Sequence, residues 1–172
     1  IAQEPLAGRD GSRMLAVDRG RGLFADAAFA DLPRLLRGSD LLVVNNTKVF
    51  PARLEGRSET GAGVEIFLVE EIGPLVWLVL AKPGKRLKPG KRIEFGGRLA
   101  AEVTEKRSDG RVVVRFDAGA QLDEIVDEIG RTPLPPYIRR DKESPDGDRE
   151  RYQTVFASRR GAIAAPTAGL HF

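Results

Sequence analysis

The chain has 172 residues, 41% hydrophobic and 31% charged, which is the balance of a globular protein, and no apolar run approaches the roughly 18 residues a membrane-spanning helix requires. It contains no cysteine and one histidine, so disulfides, zinc–thiolate sites, cysteine nucleophiles and multi-histidine metal sites cannot form within it. A net charge of +3 permits a nucleic-acid partner without requiring one.

Taken in chain order, "IAQEPLAGRDGSR" reads as a loop already under way, and Ile1 is not a start methionine. "SRMLAVD", Ser12 to Asp18, predicts a short strand. "FADLPRLLRGSD" predicts a short helix from Leu32 to Leu36, stopped at Gly38. "DLLVVN", Asp40 to Asn45, is a continuous apolar run of the kind a buried strand uses. "NNTKVFPARL" turns, because Asn45, Asn46 and Thr47 can bond their own neighbouring backbone.

From about Pro51 to Asp117 the texture becomes strands and turns. Six segments, "ARLEGR", "GVEIFLVEEI", "LVWLVLAKPG", "KRIEFG", "RLAAEVTEK" and "RVVVRFD", are separated by Gly, Pro and Asp-Gly punctuation. Short strands at this spacing predict a small antiparallel barrel of about six strands, with "SDGR" as the clearest hairpin turn. A helical period returns in "AQLDEIVDEIG", which sets Leu122, Ile125, Val126 and Ile129 on one face and ends at Gly130. "TPLPPYIRR" is expected to be extended, since each proline disfavours helix in the residue before it. "DKESPDGDRE" reads as a polar loop, "RYQTVFA" as a short amphipathic piece, and the chain ends on the apolar "GAIAAPTAGLHF". The fold class is therefore mixed α/β (α+β): residues 1–50 and 118–172 form one discontinuous domain, and the barrel of residues 51–117 is inserted into it.

Several chemical motifs fail. No G-x-G-x-x-G is present. "GKRLKPGKR" misses a phosphate-binding P-loop: five residues separate Gly84 from Gly90 where four are needed, Arg92 stands where Ser or Thr should be, and the segment lies between strands. No carboxylate pair can be singled out as a glycosidase-type acid pair. The basic stretch Lys82 to Arg98, opposed only by Glu94, is either a solvated set of turns or a phosphate-contacting patch.

Five segments carry more polar groups of fixed geometry than a core needs: "RDGSR", "NNT", "PLPPYIRR", "RYQT" and "APTAGLHF". Arginine offers bidentate recognition of carboxylate or phosphate, Asn and Gln can read a base edge, and Tyr137 and Tyr152 can stack. Each has a structural alternative: Asn45 and Asn46 as turn residues, His171 as a hydrogen-bonded structural histidine, and Tyr152, four residues before Phe156, as core.

Together, "IAQEPLAGRDGSRML", "DLLVVNNTKVFPARL", "PLPPYI", "ERYQTVFA" and "GAIAAPTAGLHF" resemble the S-adenosylmethionine:tRNA ribosyltransferase-isomerase family of queuosine biosynthesis, along nearly the whole chain and in the right order. The resemblance implies an α/β domain carrying an inserted barrel. It implies transfer and isomerisation of the ribosyl part of S-adenosylmethionine onto 7-aminomethyl-7-deazaguanine at the tRNA wobble position, giving epoxyqueuosine and releasing adenine and methionine. S-adenosylmethionine is then a cosubstrate, and neither a prosthetic group nor a metal is expected. A cytoplasmic monomer is expected too. Family members run on for roughly as long again, so the sequence is expected to stop inside the hallmark segment, to lack a few residues at the front, and to be inactive alone.

That chemistry needs a base beside the sulfonium, a proton donor or hydrogen bonds for departing adenine, and a cation for the methionine carboxylate. On the matching positions, His171 is the first acid/base candidate, followed by Tyr152 and Asp10. Arg9, Arg13 and Arg151 are candidates for carboxylate or phosphate. Asn45, Asn46, Thr47, Tyr137, Gln153, Thr154 and Thr167 are candidates for ribose or base, with Pro166 and Gly169 shaping their loop. Lys85, Arg86, Lys88, Lys91 and Arg92 of the barrel are candidates for RNA phosphates. The competing reading is a non-catalytic RNA-binding barrel module, although such a module has no need of the proline-fixed "APTAGLHF".

Overall fold

The computed structural model describes residues 2–140 and 147–172. Its strands are, in chain order, β1 (Arg13–Asp18), β2 (Leu23–Ala28), β3 (Thr47–Val49), β4 (Arg53–Ser58), β5 (Gly63–Gly73), β6 (Val76–Lys82), β7 (Arg92–Phe95), β8 (Leu99–Lys106), β9 (Val112–Phe116) and β10 (Arg159–Ala162). The α-helices are α1 (Leu32–Leu35), α2 (Leu122–Ile129) and α3 (Asp148–Arg151). Two compact units result: Ile1–Val49 with Leu134–Phe172, and Phe50–Pro133.

The second unit is a closed antiparallel barrel in the order β4-β5-β6-β9-β8-β7, with β7 returning to pair with β4. All six strands fall where apolar alternation and turn residues predict them. Alternate side chains point inward, as the pleat dictates: Val64, Ile66 and Leu68 from β5, Ile93 and Phe95 from β7, and Val112, Val114 and Phe116 from β9 are buried. Register shifts in β5 against β6 and in β8 against β9 add the local twist and bend that closure demands. At the β8–β9 turn, Asp109 accepts the Arg111 backbone N–H at 2.9 Å.

This unit runs on to Pro133 and so includes α2, which the sequence division places outside the barrel. The reason lies in contacts that no local pattern reveals. α2 buries Leu122 and Val126, Arg98 holds Glu128 through two bonds of 2.7 and 2.6 Å, and Arg131 forms an antiparallel bridge with Arg53. Gly130 fits because it has no side chain: a Cβ there would lie 2.1 Å from the Pro51 carbonyl oxygen and 2.5 Å from that of Val126.

In the first unit β1 and β2 form an antiparallel hairpin. A short 3-10 turn, Phe29–Asp31, then leads into α1, which carries Pro33 in its first turn. β3 and β10 form a parallel pair. Sequence patterning did not anticipate β2, β3 or β10. The expected buried strand at Asp40–Asn45 is absent: residues 40–46 adopt no strand, and Leu41 and Val43 are 87% and 82% exposed. A buried strand needs paired edges and covered faces, and no strand among the described residues pairs with this run.

Residues 148–150, expected as part of a polar loop, are helical together with Arg151, while residues 141–146 of that loop lie outside the described residues. Because α3 ends at Arg151, Tyr152 and Phe156 do not share a helical face. The proline segment does not stay extended throughout; it turns at Tyr137, with the Ile138 N–H donating to the Pro135 carbonyl at 2.9 Å.

Candidate functional site

The hallmark segment ends in a 3-10 turn, Thr167–His171, that follows Pro166. Pro166 accepts the Gly169 N–H at 2.9 Å. Gly169 lies against Thr154, where a Cβ would come within 2.7 Å of the threonine methyl. Thr154 is buried, and its Oγ1 has no hydrogen-bond partner among the described residues.

His171 is exposed, and its Nδ1 lies 3.0 Å from Ser12 Oγ. Its ring lies 5.8 Å from that of Phe29, which meets Phe172 edge-on; Phe172 in turn meets Phe156 edge-on. Ser12 also accepts the Phe29 N–H through its carbonyl at 2.9 Å. The sequence singled out His171 but not Ser12 or Phe29. The only signal for Ser12 was its place in "RDGSR", since its partner is 159 residues away.

Two of the candidate arginines clasp backbone. Arg9 donates to the carbonyls of Gln153 and Glu150, and Arg151 donates to those of Leu6 and Ala7. Gln153 pins β3 from both sides: its Oε1 accepts the Val49 N–H at 2.9 Å and its Nε2 donates to the Val49 carbonyl at 2.7 Å. Asn45 Oδ1 accepts the Thr47 N–H at 2.9 Å, the local turn bond expected of it, and the Asn46 carbonyl accepts N–H groups from Ser158 and Arg159. Arg13 and Asp10 are exposed, as are Thr167, Asn45 and Asn46; Pro166 and Thr47 are half-buried.

A cavity of about 370 Å³ brings Tyr137, Arg151 and Tyr152 together and is also lined by Leu134, Ile138 and Leu170. Half-buried Arg140 and buried Asp148 form a pair on its wall, with Nε–Oδ2 at 2.7 Å and Nη2–Oδ1 at 3.0 Å. Sequence reasoning missed this pair, which is eight residues apart and only meets through the fold. Burial pushes the Tyr152 hydroxyl above its ordinary pKa, while a backbone hydrogen bond from Ala165 pulls it the other way. His171 does not line the cavity, although its neighbour Leu170 does.

A family profile described as "Queuosine biosynthesis protein" matches residues 1–172. The chain belongs to the queuosine biosynthesis protein family. It is 48% identical to the S-adenosylmethionine:tRNA ribosyltransferase-isomerase of Heliobacterium modesticaldum and 44% identical to that of Trichlorobacter lovleyi, in each case over 100% of this chain and 50% of the relative. The chain thus spans about half the length of the curated relatives it matches. It is also similar to a solved S-adenosylmethionine tRNA ribosyltransferase from Thermotoga maritima, at 33% identity and a TM-score of 0.42, over 80% of this chain and 48% of that one.

In this queuosine biosynthesis family member the basic stretch of the barrel divides by partner. Lys91 pairs with Glu59 at 3.1 Å, a bond that holds the Glu59 carboxyl below its usual pKa. Arg92 lies 3.3 Å from Asp117 and 3.8 Å from Glu94. Lys85, Arg86 and Lys88 are exposed and have no carboxylate partner among the described residues. No helix among the described residues is long and apolar enough to cross a membrane.

Proposed function

We propose that the chain works, within a protein of its relatives' length, as an S-adenosylmethionine:tRNA ribosyltransferase-isomerase. The reaction transfers and isomerises the ribosyl moiety of S-adenosylmethionine onto 7-aminomethyl-7-deazaguanine at the tRNA wobble position. Epoxyqueuosine-tRNA forms, and adenine and methionine leave. The observation that carries this reading is identity of 44–48% along the entire chain to proteins of that name. We place the enzyme in the cytoplasm as a monomer, with S-adenosylmethionine as a consumed cosubstrate.

His171 is assigned as the base that takes the proton beside the sulfonium. When Nδ1–H donates to Ser12 Oγ, the Nε2 lone pair is left to accept that proton. The hydroxyl holds the ring without adding charge. Tyr152 is assigned a hydrogen-bonding part at the departing base, its hydroxyl kept protonated by burial. Asp10 is the further acid/base candidate. Arg13, exposed next to Ser12 at the start of β1, is assigned to the methionine carboxylate. Arg9 and Arg151, whose donors clasp carbonyls, are assigned to holding the loops. Asn45, Asn46, Thr47 and Thr167 are assigned to ribose or base edges, with Pro166 and Gly169 fixing the turn; Gln153, whose amide is spent on Val49, is assigned to holding β3, and buried Thr154 to packing against Gly169.

The test uses a protein of the relatives' full length that contains this chain, incubated with S-adenosylmethionine and an anticodon stem-loop bearing 7-aminomethyl-7-deazaguanine. A gain in RNA mass matching the epoxycyclopentanediol, with free adenine and methionine, is expected. RNA binding without a mass gain would leave the RNA-binding module as the better reading.

A further inference from the structure

The barrel unit holds a smaller pocket of its own, of about 190 Å³. Antiparallel pairing puts the ends of β4 and β6 on one side of the barrel, so the β4–β5 turn and the β6–β7 connection wall the pocket there. Both walls are pinned. The Ser58 carbonyl accepts the Gly61 N–H at 2.8 Å, and Gly61 takes the positive φ of 78° that this turn needs. On the other wall, the Gly84 carbonyl accepts the Leu87 N–H at 3.3 Å and Lys106 Nζ at 2.8 Å, which fixes the 3-10 turn Gly84–Arg86. Buried Val64 and Leu87 supply apolar lining. The volume is below the roughly 300–1,000 Å³ of a whole small-molecule site, which suits one piece of a larger ligand. Glu59 accepts from Lys91 Nζ at 3.1 Å and from the Arg92 N–H at 3.4 Å, and a carboxylate has room for a further donor. The Lys91 hydrogen bond keeps that carboxyl below its ordinary pKa, so it accepts and does not donate. Ser58 Oγ and Thr60 Oγ1 lie 3.0 Å apart; their bond spends one hydroxyl hydrogen and leaves the other. Arg86 is exposed, and its guanidinium has no hydrogen bond or ion pair among the described residues.

These groups ask for two things at once. Lys91 already offsets Glu59, so Arg86 is the uncompensated charge and calls for an anion. A bare phosphate seated in the pocket would also meet the Glu59 carboxylate, which repels it. A ligand that sets an anion beside a neutral hydroxyl satisfies both. We propose that the pocket takes one ribose of an RNA backbone, with Glu59 accepting its 2′-hydroxyl and Arg86 meeting the adjoining phosphate. Val64 and Leu87 then face the carbon atoms of the sugar, and the spare hydroxyl hydrogen of the Ser58–Thr60 pair is available to a sugar oxygen. DNA offers the phosphate without the hydroxyl, so Glu59 makes the pocket a reader of RNA over DNA. Exposed Lys85 and Lys88 flank Arg86 in sequence and extend the cationic surface toward neighbouring phosphates. The inference rests on the proposed function in taking RNA as the partner. It adds recognition of the sugar, which basic charge alone does not provide.

The experiment measures binding and needs no turnover. Affinity of the full-length protein for an anticodon stem-loop is read by fluorescence anisotropy, once with ribose throughout and once with 2′-fluoro sugars. Fluorine keeps the sugar pucker of an A-form helix and removes the hydroxyl proton. The wild type should bind the ribose form at least about tenfold more tightly. Glu59→Ala should cut that preference roughly tenfold, even as the loss of a negative charge raises both affinities. The preference is a ratio taken within one protein, so a variant that is partly unfolded does not mimic its loss. Arg86→Ala should weaken both forms alike, and lower the slope of log affinity against log salt by about 0.7 to 0.9, with the preference kept. The inference is overturned if the wild type binds the two forms equally or if the preference survives Glu59→Ala intact. It is overturned too if ribose 5-phosphate displaces the stem-loop at an equal concentration, since a small sugar phosphate would then be the occupant. A Glu59-dependent preference in a protein without transfer activity would uphold the pocket and reject the proposed function. Transfer activity with a preference indifferent to Glu59 would do the reverse.

Discussion

At the scale of single residues, the contact between Ser12 and His171 carries the sharpest consequence. An imidazole is useful as a base only when one nitrogen is held and the other is free. Ser12 holds Nδ1 from a position fixed by its own carbonyl bond to Phe29, whose ring also lies against the histidine. Removing the hydroxyl leaves that carbonyl bond in place and frees the imidazole to rotate. Ser12→Ala in the full-length enzyme is therefore expected to lower kcat roughly ten- to a hundredfold with little change in KM, the signature of lost orientation. Ser12→Thr keeps the oxygen and should recover most of the rate. Nitrogen chemical shifts of His171, assigned by difference against His171→Gln, should show a fixed Nδ1–H tautomer that becomes mixed in Ser12→Ala. Equal kcat in Ser12→Ala and wild type would sink the positioning role. The sequence exposed the histidine by its rarity, but the serine is one among many small polar residues. The same holds for Arg9 and Arg151: their chemistry was legible, but their commitment to backbone carbonyls depends on loops that meet only in the fold.

At the scale of elements, what was readable was local. The six barrel strands announce themselves because alternation and turn residues act within a few positions of each other. β3 and β10 pair across more than a hundred residues, and neither has a pattern of its own long enough to register. The run Leu41–Val44 shows the converse, an apolar signal without a paired neighbour among the described residues. α2 was legible as a helix but not as a part of the barrel unit, because its attachment depends on contacts with residues distant in sequence, one of them a close approach of backbone. At Gly130 any Cβ would collide with two carbonyl oxygens, and backbone cannot step aside as a flexible side chain does. Gly130→Ala should cost about 3 kcal/mol, measured by denaturant unfolding of the full-length protein. Gly63, in the same unit, has nothing within 4 Å of where its Cβ would lie. Gly63→Ala should thus be neutral or slightly stabilising. Equal stabilities for the two variants would mean that α2 adjusts freely and that Gly130 is not what fastens it.

At the scale of the whole molecule, the net charge of +3 conceals an uneven distribution. Lys91 and Arg92 are partly neutralised by Glu59, Glu94 and Asp117, whereas Lys85, Arg86 and Lys88 are exposed around a 3-10 turn. Exposed cations of this kind gain little from stability and much from counterion release when they meet phosphates. The two groups of basic residues should therefore behave differently toward RNA. Reversing Lys85, Arg86 and Lys88 to Glu should weaken binding of the anticodon stem-loop. It should also flatten the plot of log affinity against log salt, by about 0.7 to 0.9 for each phosphate contact removed. Reversing Lys91 and Arg92 should change that slope less, because their charge is already shared with carboxylates, and should place like charges beside Glu59 and Asp117, lowering stability instead. Both affinity and slope need measuring, since a misfolded barrel would lose affinity as well. If all three reversals leave affinity and slope unchanged while the protein stays folded, the basic stretch is solvated surface, and the RNA must be held by another face of the molecule.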